Sequence, residues 1–262
     1  MGETNMKEKD KNLAMLIGLL LGDGGISVIS KNRFEIFLTS NSRALRESFR
    51  KCLENIFPEK KLRFEEINNK TVKKIRICDK EVGEQLLSFS PTFRTRPCNT
   101  FPICPMLKGK PEKAVCRECR PINGFPPVKI PEFITNGSPE LKRLIVKGVM
   151  SCDGGIEFHP IKNGRKVNFQ RRLFLRCHNP FLLAQWRKIF EDLGFDTTIT
   201  KNEIRISGKN QLEKFRKDIG FIDGVEVKRS KNWKRIDKNM LLDIVIKSFS
   251  TNSAPKANRA AS

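Results

Sequence analysis

The sequence predicts an α+β protein made of two copies of one unit, each reading helix, strand, strand, helix, strand, strand, helix. Three observations predict it. Two apolar runs, LAMLIGLLLGDGG at 13–25 and LIVKGVMSCDGG at 144–155, close on the same Asp-Gly-Gly. The segments behind them follow in the same order. They also superpose: a slide of 137 positions lays Phe174 on Phe37, Arg187 on Arg50, Lys188 on Lys51 and Glu191 on Glu54. Farther on, Ile204-Arg205-Ile206 and Lys209 match Ile75-Arg76-Ile77 and Lys80 at a slide of 129. The motif aspartates, Asp23 and Asp153, are 130 apart, so the second copy carries seven extra residues in its first strand-to-strand loop. A duplicated unit with paired helices at its seam implies a pseudo-twofold molecule.

The apolar runs are the paired helices. Ala14, Gly18 and Gly22 fall four apart, as do Gly148 and Cys152, giving each helix a stripe of small residues along which backbones can approach closely. Each ends on an acid, although a helix C-terminus is already negative and its last carbonyls lack partners. Doing this twice points to a cation there. Two carboxylates with helix carbonyls form an all-oxygen site of the kind Mg²⁺ prefers. The Gly pairs are expected to act as left-handed caps leading straight into a strand. The 10 apolar residues at 13–22 are too few to span a bilayer.

Strands come next, GISVIS and RFEIFLTS in the first copy, GIEFHP and KVNFQRRLFLRCH in the second. Alternation sorts their faces. Val167, Phe169, Leu173 and Leu175 point one way; Asn168, Gln170, Arg172, Phe174, Arg176 and His178 point the other. The matching polar face of the first copy holds Arg33, Glu35, Phe37, Thr39 and Asn41. Helices at 42–57 and 179–194 follow, then short strands in which Lys74 and Arg76, and later Arg205, alternate with isoleucines. Such faces carry the side chains that read base edges in a major groove. A closing amphipathic helix is expected over 237–249.

Between the copies, residues 89–137 form a Pro-rich, irregular insert containing Cys98, Cys104, Cys116 and Cys119. The Cys-x-x-Cys at 116–119 has zinc-knuckle spacing, and a structural Zn²⁺ would order so long a loop. Two disulfides or free thiols are the competing readings. Cys52, Cys78, Cys152 and Cys177 read as small core residues. Residues 1–11 are expected to be a flexible N-terminus and 251–262 a disordered tail. The two units are then 12–88 and 138–250.

Lys and Arg number 51 against 29 acids, a net charge of +22. Charge on that scale, spread along the chain, implies a long polyanionic partner and a broad basic surface. No signal peptide or membrane anchor is visible, so an intracellular protein is expected, in cytoplasm or organelle.

These residues resemble the LAGLIDADG homing endonucleases, most closely the single-chain, two-motif, intron-encoded type. The resemblance covers about 12–88 and 138–250. It implies a monomer whose two saddle-shaped four-stranded sheets lie along double-stranded DNA, with the motif helices at the interface. It further implies a staggered double-strand break in a long pseudo-palindromic site, made with two or more Mg²⁺ ions. Asp23 and Asp153 would be the metal ligands, joined by the backbone carbonyls of Gly22 and Cys152. Asn41 and His178, with Ser40, occupy the positions that orient the attacking water in relatives, although relatives often place Lys or Gln there. His178 could equally contact a DNA phosphate or simply end its strand. The DNA-binding residues implied are Arg33, Glu35, Thr39, Lys74, Arg76, Asn168, Gln170, Arg172, Arg176 and Arg205. Two other functions fit the scaffold: an RNA-binding intron maturase, and a nuclease-dead DNA-binding regulator. Both motif acids are intact, which favours the endonuclease. The chain shows no intein splicing ends, as expected of a free-standing protein.

Overall fold

A computed structural model describes residues 2–30, 32–68, 71–96, 124–163, 166–228, 230 and 232–251. The first half runs α1 (Gly2–Gly22), β1 (Gly24–Ser30), β2 (Arg33–Thr39), α2 (Arg43–Ile56), β3 (Glu65–Asn68), β4 (Lys73–Cys78) and α3 (Lys80–Phe89). After a short α4 (Glu132–Thr135) the second half repeats the order. Its elements are α5 (Pro139–Cys152), β5 (Gly154–Asn163), β6 (Lys166–Arg176), α6 (Pro180–Asp192), β7 (Thr198–Thr200), β8 (Glu203–Ser207) and α7 (Lys209–Asp218). Helix α8 (Lys238–Thr251) closes the described chain. Helix α1 therefore begins ahead of the expected boundary at residue 12.

Both sheets are antiparallel and four-stranded, ordered β1-β2-β4-β3 and β5-β6-β8-β7. The repeat persists in the register: Phe37 faces Arg76 and Phe174 faces Arg205. The seven extra residues lengthen the β5–β6 hairpin, whose strands pair from Gly154–Leu175 out to Asn163–Lys166. Along β6 Leu173 and Leu175 are buried while Asn168 is exposed, and one charged residue shares the apolar face. Arg171 falls on the core side, where its guanidinium donates to the hydroxyl and carbonyl of Ser248 and lies over Phe169 and Phe249. Ser248 lies in the last described turn of α8.

The motif helices α1 and α5 pack along one another at the centre of a continuous core. A Cβ built on Gly18 would lie 2.3 Å from the Ile145 carbonyl oxygen, and one on Gly148 2.8 Å from that of Met15. The stripe of small residues is thus a true backbone contact. The Gly pairs serve a different purpose from the caps expected of them. Gly24, Gly25, Gly154 and Gly155 do not have positive φ. They are glycines because each strand starts hard against its neighbours. A Cβ on Gly24 would lie 2.8 Å from Leu20 Cα, and one on Gly155 2.5 Å from the Phe174 ring. Among the described residues no helix is long and apolar enough to cross a membrane.

Candidate active site and nucleic-acid interface

Helices α1 and α5 end side by side, and each delivers its aspartate to the same place. Asp153 caps α5, its amide donating to the Val149 carbonyl. The Asp23 carbonyl accepts from the Thr39 amide, which ties the end of α1 to the end of β2. Part of Asp153 reaches solvent, yet burial and the neighbouring Asp23 charge push its carboxyl up to about 6. That upward push is the electrostatic signature of two acids brought together. Asp23 Oδ2 is buried and accepts no hydrogen bond. A buried carboxylate oxygen that accepts no hydrogen bond, a second carboxylate beside it and two helix C-termini form a donor set that fits a hard divalent cation. Cys152 packs at this seam: a Cβ on Gly22 would lie 2.4 Å from Cys152 Cβ. Burial and both aspartates push its thiol well above the ordinary range, so it is a neutral spacer.

Three cations whose place here the sequence did not announce converge on this centre. Lys228 follows α7 in the second half, yet its ammonium lies 3.8 Å from Asp23 and donates to the Ser40 hydroxyl in the first. Arg96 follows α3 in the first half, and its charge opposes the upward push on Asp153 in the second. Each half thus sends a cation from the segment after its last repeat helix to the other half's acid. The third, Lys238, is buried at the start of α8 and donates to the carbonyls of Met150, Ser151 and Gly154, which supplies positive charge at the end of α5. Burial lowers its pKa to about 8. The segments that carry Lys228 and Arg96 are irregular, so no periodicity marked them, whereas Lys238 falls inside the closing helix expected over 237–249. Lys228 is held by a short pairing in which the Val227 amide donates to Ile236 and the Lys238 amide to Val225. Trp233 anchors the same loop by stacking on Phe158 and donating to its carbonyl.

Asn41 and His178 occupy equivalent places in the two halves, and each has a structural partner. Both polar atoms of Asn41 engage the backbone at the start of β4, Nδ2 donating to the Thr71 carbonyl and Oδ1 accepting from the Lys73 amide. His178 Nδ1 pairs with the Asn202 carboxamide in the β7–β8 turn. Ser40 is buried, its carbonyl accepting from the buried Arg46 and its hydroxyl from Lys228 and the Ser42 amide.

The polar sheet faces carry the expected basic residues, but most are paired. Glu35 accepts from Lys74 and Arg76, and Arg76 also binds Glu65. Glu203 accepts from Arg176 and Arg205, while Arg172 donates to Glu157. Lys74 lies 4.2 Å above the Phe37 ring, and Arg176 covers Phe174. Arg33 and Asn168 are exposed, and Thr39 and Gln170 are half-buried. Of the core cysteines, Cys52 and Cys177 are buried, whereas Cys78 is exposed because it ends β4 on the polar face. The insert cysteines Cys98, Cys104, Cys116 and Cys119 lie outside the described residues.

Residues 10–88 match the family model described as a LAGLIDADG-like domain. No curated protein matches the sequence. Among solved structures, the homing endonuclease I-DmoI in complex with DNA and Mn is similar at 16% identity, with 81% of this chain and 97% of that one covered and a TM-score of 0.52. Mesophilic variants of I-DmoI give 15% identity, 80% and 96% coverage and a TM-score of 0.51. The LAGLIDADG meganuclease I-AabMI bound to uncleaved DNA gives 12% identity, 92% and 93% coverage and a TM-score of 0.52. The chain therefore carries a LAGLIDADG-like domain over residues 10–88 and, across both halves, the fold of single-chain LAGLIDADG homing endonucleases.

Proposed function

We propose that the protein is a site-specific homing endonuclease that acts as a monomer and makes a staggered, Mg²⁺-dependent double-strand break in a long pseudo-palindromic DNA target. The observation that carries the reading is the pair of motif aspartates at adjoining helix ends, between two sheet faces rich in Arg and Lys. The net charge of +22 suits a polyanionic partner. Solved relatives of the same fold are bound to DNA, one of them with Mn.

In this reading Asp23 and Asp153, with the carbonyls of Gly22 and Cys152, hold the divalent ions. When bound, those ions supply Lewis-acid polarisation of the scissile phosphate and acidify a water. Lys228 and Arg96 place positive charge over the opposite aspartates, where a strained phosphate gains negative charge. Ser40 and Arg46 fix Lys228 from behind. Asn41 and His178 hold the β3–β4 and β7–β8 turns beside the site, and the second ring nitrogen of His178 is the group we assign to ordering water. The sheet faces supply base and phosphate contacts along both half-sites.

The test is incubation of the purified protein with plasmid carrying the intron-free exon junction of its host gene, with Mg²⁺ and with EDTA. Linear product with Mg²⁺ alone is expected. No cutting, together with tight binding to the intron RNA, would overturn the reading in favour of an RNA-binding protein. Binding to the DNA junction in EDTA should weaken steeply as salt rises, because each neutralised phosphate releases counterions.

Asp153 sets a pH dependence. Its carboxyl rises to about 6 in the folded chain, against about 3.9 when unfolded. A raised folded pKa keeps the proton longer, so the stability it contributes is present in acid and is lost as pH rises through about 6. A divalent ion competes with that proton. Calorimetric Mn²⁺ titration of DNA-free protein should therefore show affinity increasing through the same range; a flat profile would contradict it.

We also propose that Cys98, Cys104, Cys116 and Cys119 bind one structural Zn²⁺, on the strength of their spacing. Elemental analysis of freshly purified protein should find zinc near one equivalent. Its absence would end that proposal.

A further inference from the structure

The two sheet faces are not simply basic. Each encloses one buried carboxylate that holds two cations, and the two halves do this with the charges exchanged. In the first half the acid is Glu35 on β2, and its partners are Lys74 and Arg76 on β4, at 2.8 Å each. In the second, the position equivalent to Lys74 is Glu203 on β8. It takes Arg176 from β6 at 2.7 Å and Arg205 from its own strand at 2.9 Å. The position equivalent to Glu35 is Arg172. Glu35 is 7% exposed and Glu203 6%. Burial raises each carboxyl, but the hydrogen bonds from the flanking cations outweigh it and hold both below the usual carboxylate range. Sheets that served only to attract phosphate would gain nothing from acids buried among their cations, because each one cancels charge that drives binding.

We infer that Glu35 and Glu203 are specificity-setting residues, each fixing two basic side chains in one orientation for base edges and withholding them from phosphates. The inference rests on the DNA-binding reading above. An arginine free to swing will find a phosphate on any duplex, whereas one locked by a carboxylate presents its remaining N–H groups in a fixed direction. The carboxylate thus lowers affinity for arbitrary DNA and raises the penalty for a wrong base. Because the acid stands on β2 in one half and on β8 in the other, the two half-sites offer their bases to different arrangements. The recognised sequence departs from palindromy beneath these residues.

The test is selection from a library of random-sequence duplexes in EDTA, with the full-length protein and with Glu35→Gln and Glu203→Gln. Glutamine keeps the shape and removes the charge. Competition binding then compares the best selected duplex with an unrelated one. Each variant is expected to bind unrelated DNA more tightly and to lose roughly tenfold in discrimination, with sequence information falling in one half of the selected motif only. Arg76→Lys, which keeps the charge and loses the fork, should blur the first half without tightening non-specific binding. Unchanged discrimination in both glutamine variants, with melting temperatures near the parent's, would overturn the inference. If one variant fails to fold, the other half's variant still decides the question. If the parent protein selects no sequence at all, it is the DNA-recognition reading that fails.

Discussion

Replacing Asp23 or Asp153 with asparagine is expected to remove double-strand cleavage, by roughly a thousandfold or more, while DNA affinity changes by less than about tenfold. The asymmetry follows from where the residues sit. Both lie at the ends of the interface helices, and the contacts that would hold DNA lie on strands whose pairing does not depend on them. An amide at either position removes half of the charge that a divalent ion needs, and leaves the side chain's volume unchanged. Stability should move the other way from activity. Burial and like charge push Asp153 up to about 6, so the folded chain bears a penalty for keeping both acids ionised at neutral pH. Without metal, Asp153→Asn should therefore melt no lower than the parent. Binding measured in EDTA on a junction duplex, cleavage in Mg²⁺ and a thermal melt separate the possibilities. Collapse of binding together with cleavage would mean that the aspartates organise the DNA surface instead.

Much of this architecture is legible in the sequence because duplication makes each half a control for the other. The apolar runs ending in Asp-Gly-Gly, the slide of 137 through β2 and α2 and the slide of 129 through β4 place those elements and their second copies. What escaped had one of two physical causes. Lys228 and Arg96 come from irregular segments after α7 and α3, where neither a period of two nor one of 3.6 exists to be read. Other features concern what a side chain meets rather than where it points. Alternation puts Arg171 on the apolar face of β6, and nothing local foretells that Ser248 of α8 is there to accept its hydrogen bonds. Basic residues on the sheet faces were visible, but most of the carboxylates that hold them lie across strands, beyond local sequence, as Glu35 does for Lys74 and Arg76. Glycine is ambiguous in the same way. A Gly pair after a helix reads as a cap, whereas at residues 24, 25, 154 and 155 the cause is tertiary crowding.

Crowding at the helix seam gives the second large effect. Gly18→Ala adds one methyl group where a Cβ would lie 2.3 Å from the Ile145 carbonyl oxygen and 3.1 Å from Gly148 Cα. Neither neighbour is a flexible side-chain tip that could swing aside, so the helices must separate along their whole contact. In an exposed helix the same change is favourable by up to about 1 kcal/mol. Here it is expected to cost about 2–4 kcal/mol and to lower the melting temperature by about 10 °C. Gly22→Ala tests the same seam one turn later, where the obstacle is Cys152 Cβ at 2.4 Å, a side-chain atom beside the aspartates. That site can yield by moving the end of α5. The smaller loss of stability should therefore come with a disproportionate loss of cleavage, since Asp153 moves with Cys152. Glu54→Ala, exposed on α2, serves as the control and should stay within about 0.5 kcal/mol of the parent. If Gly18→Ala melted with the control, the two backbones would not be in contact. If Gly22→Ala cut DNA normally, the spacing of the helix ends would not set the active centre.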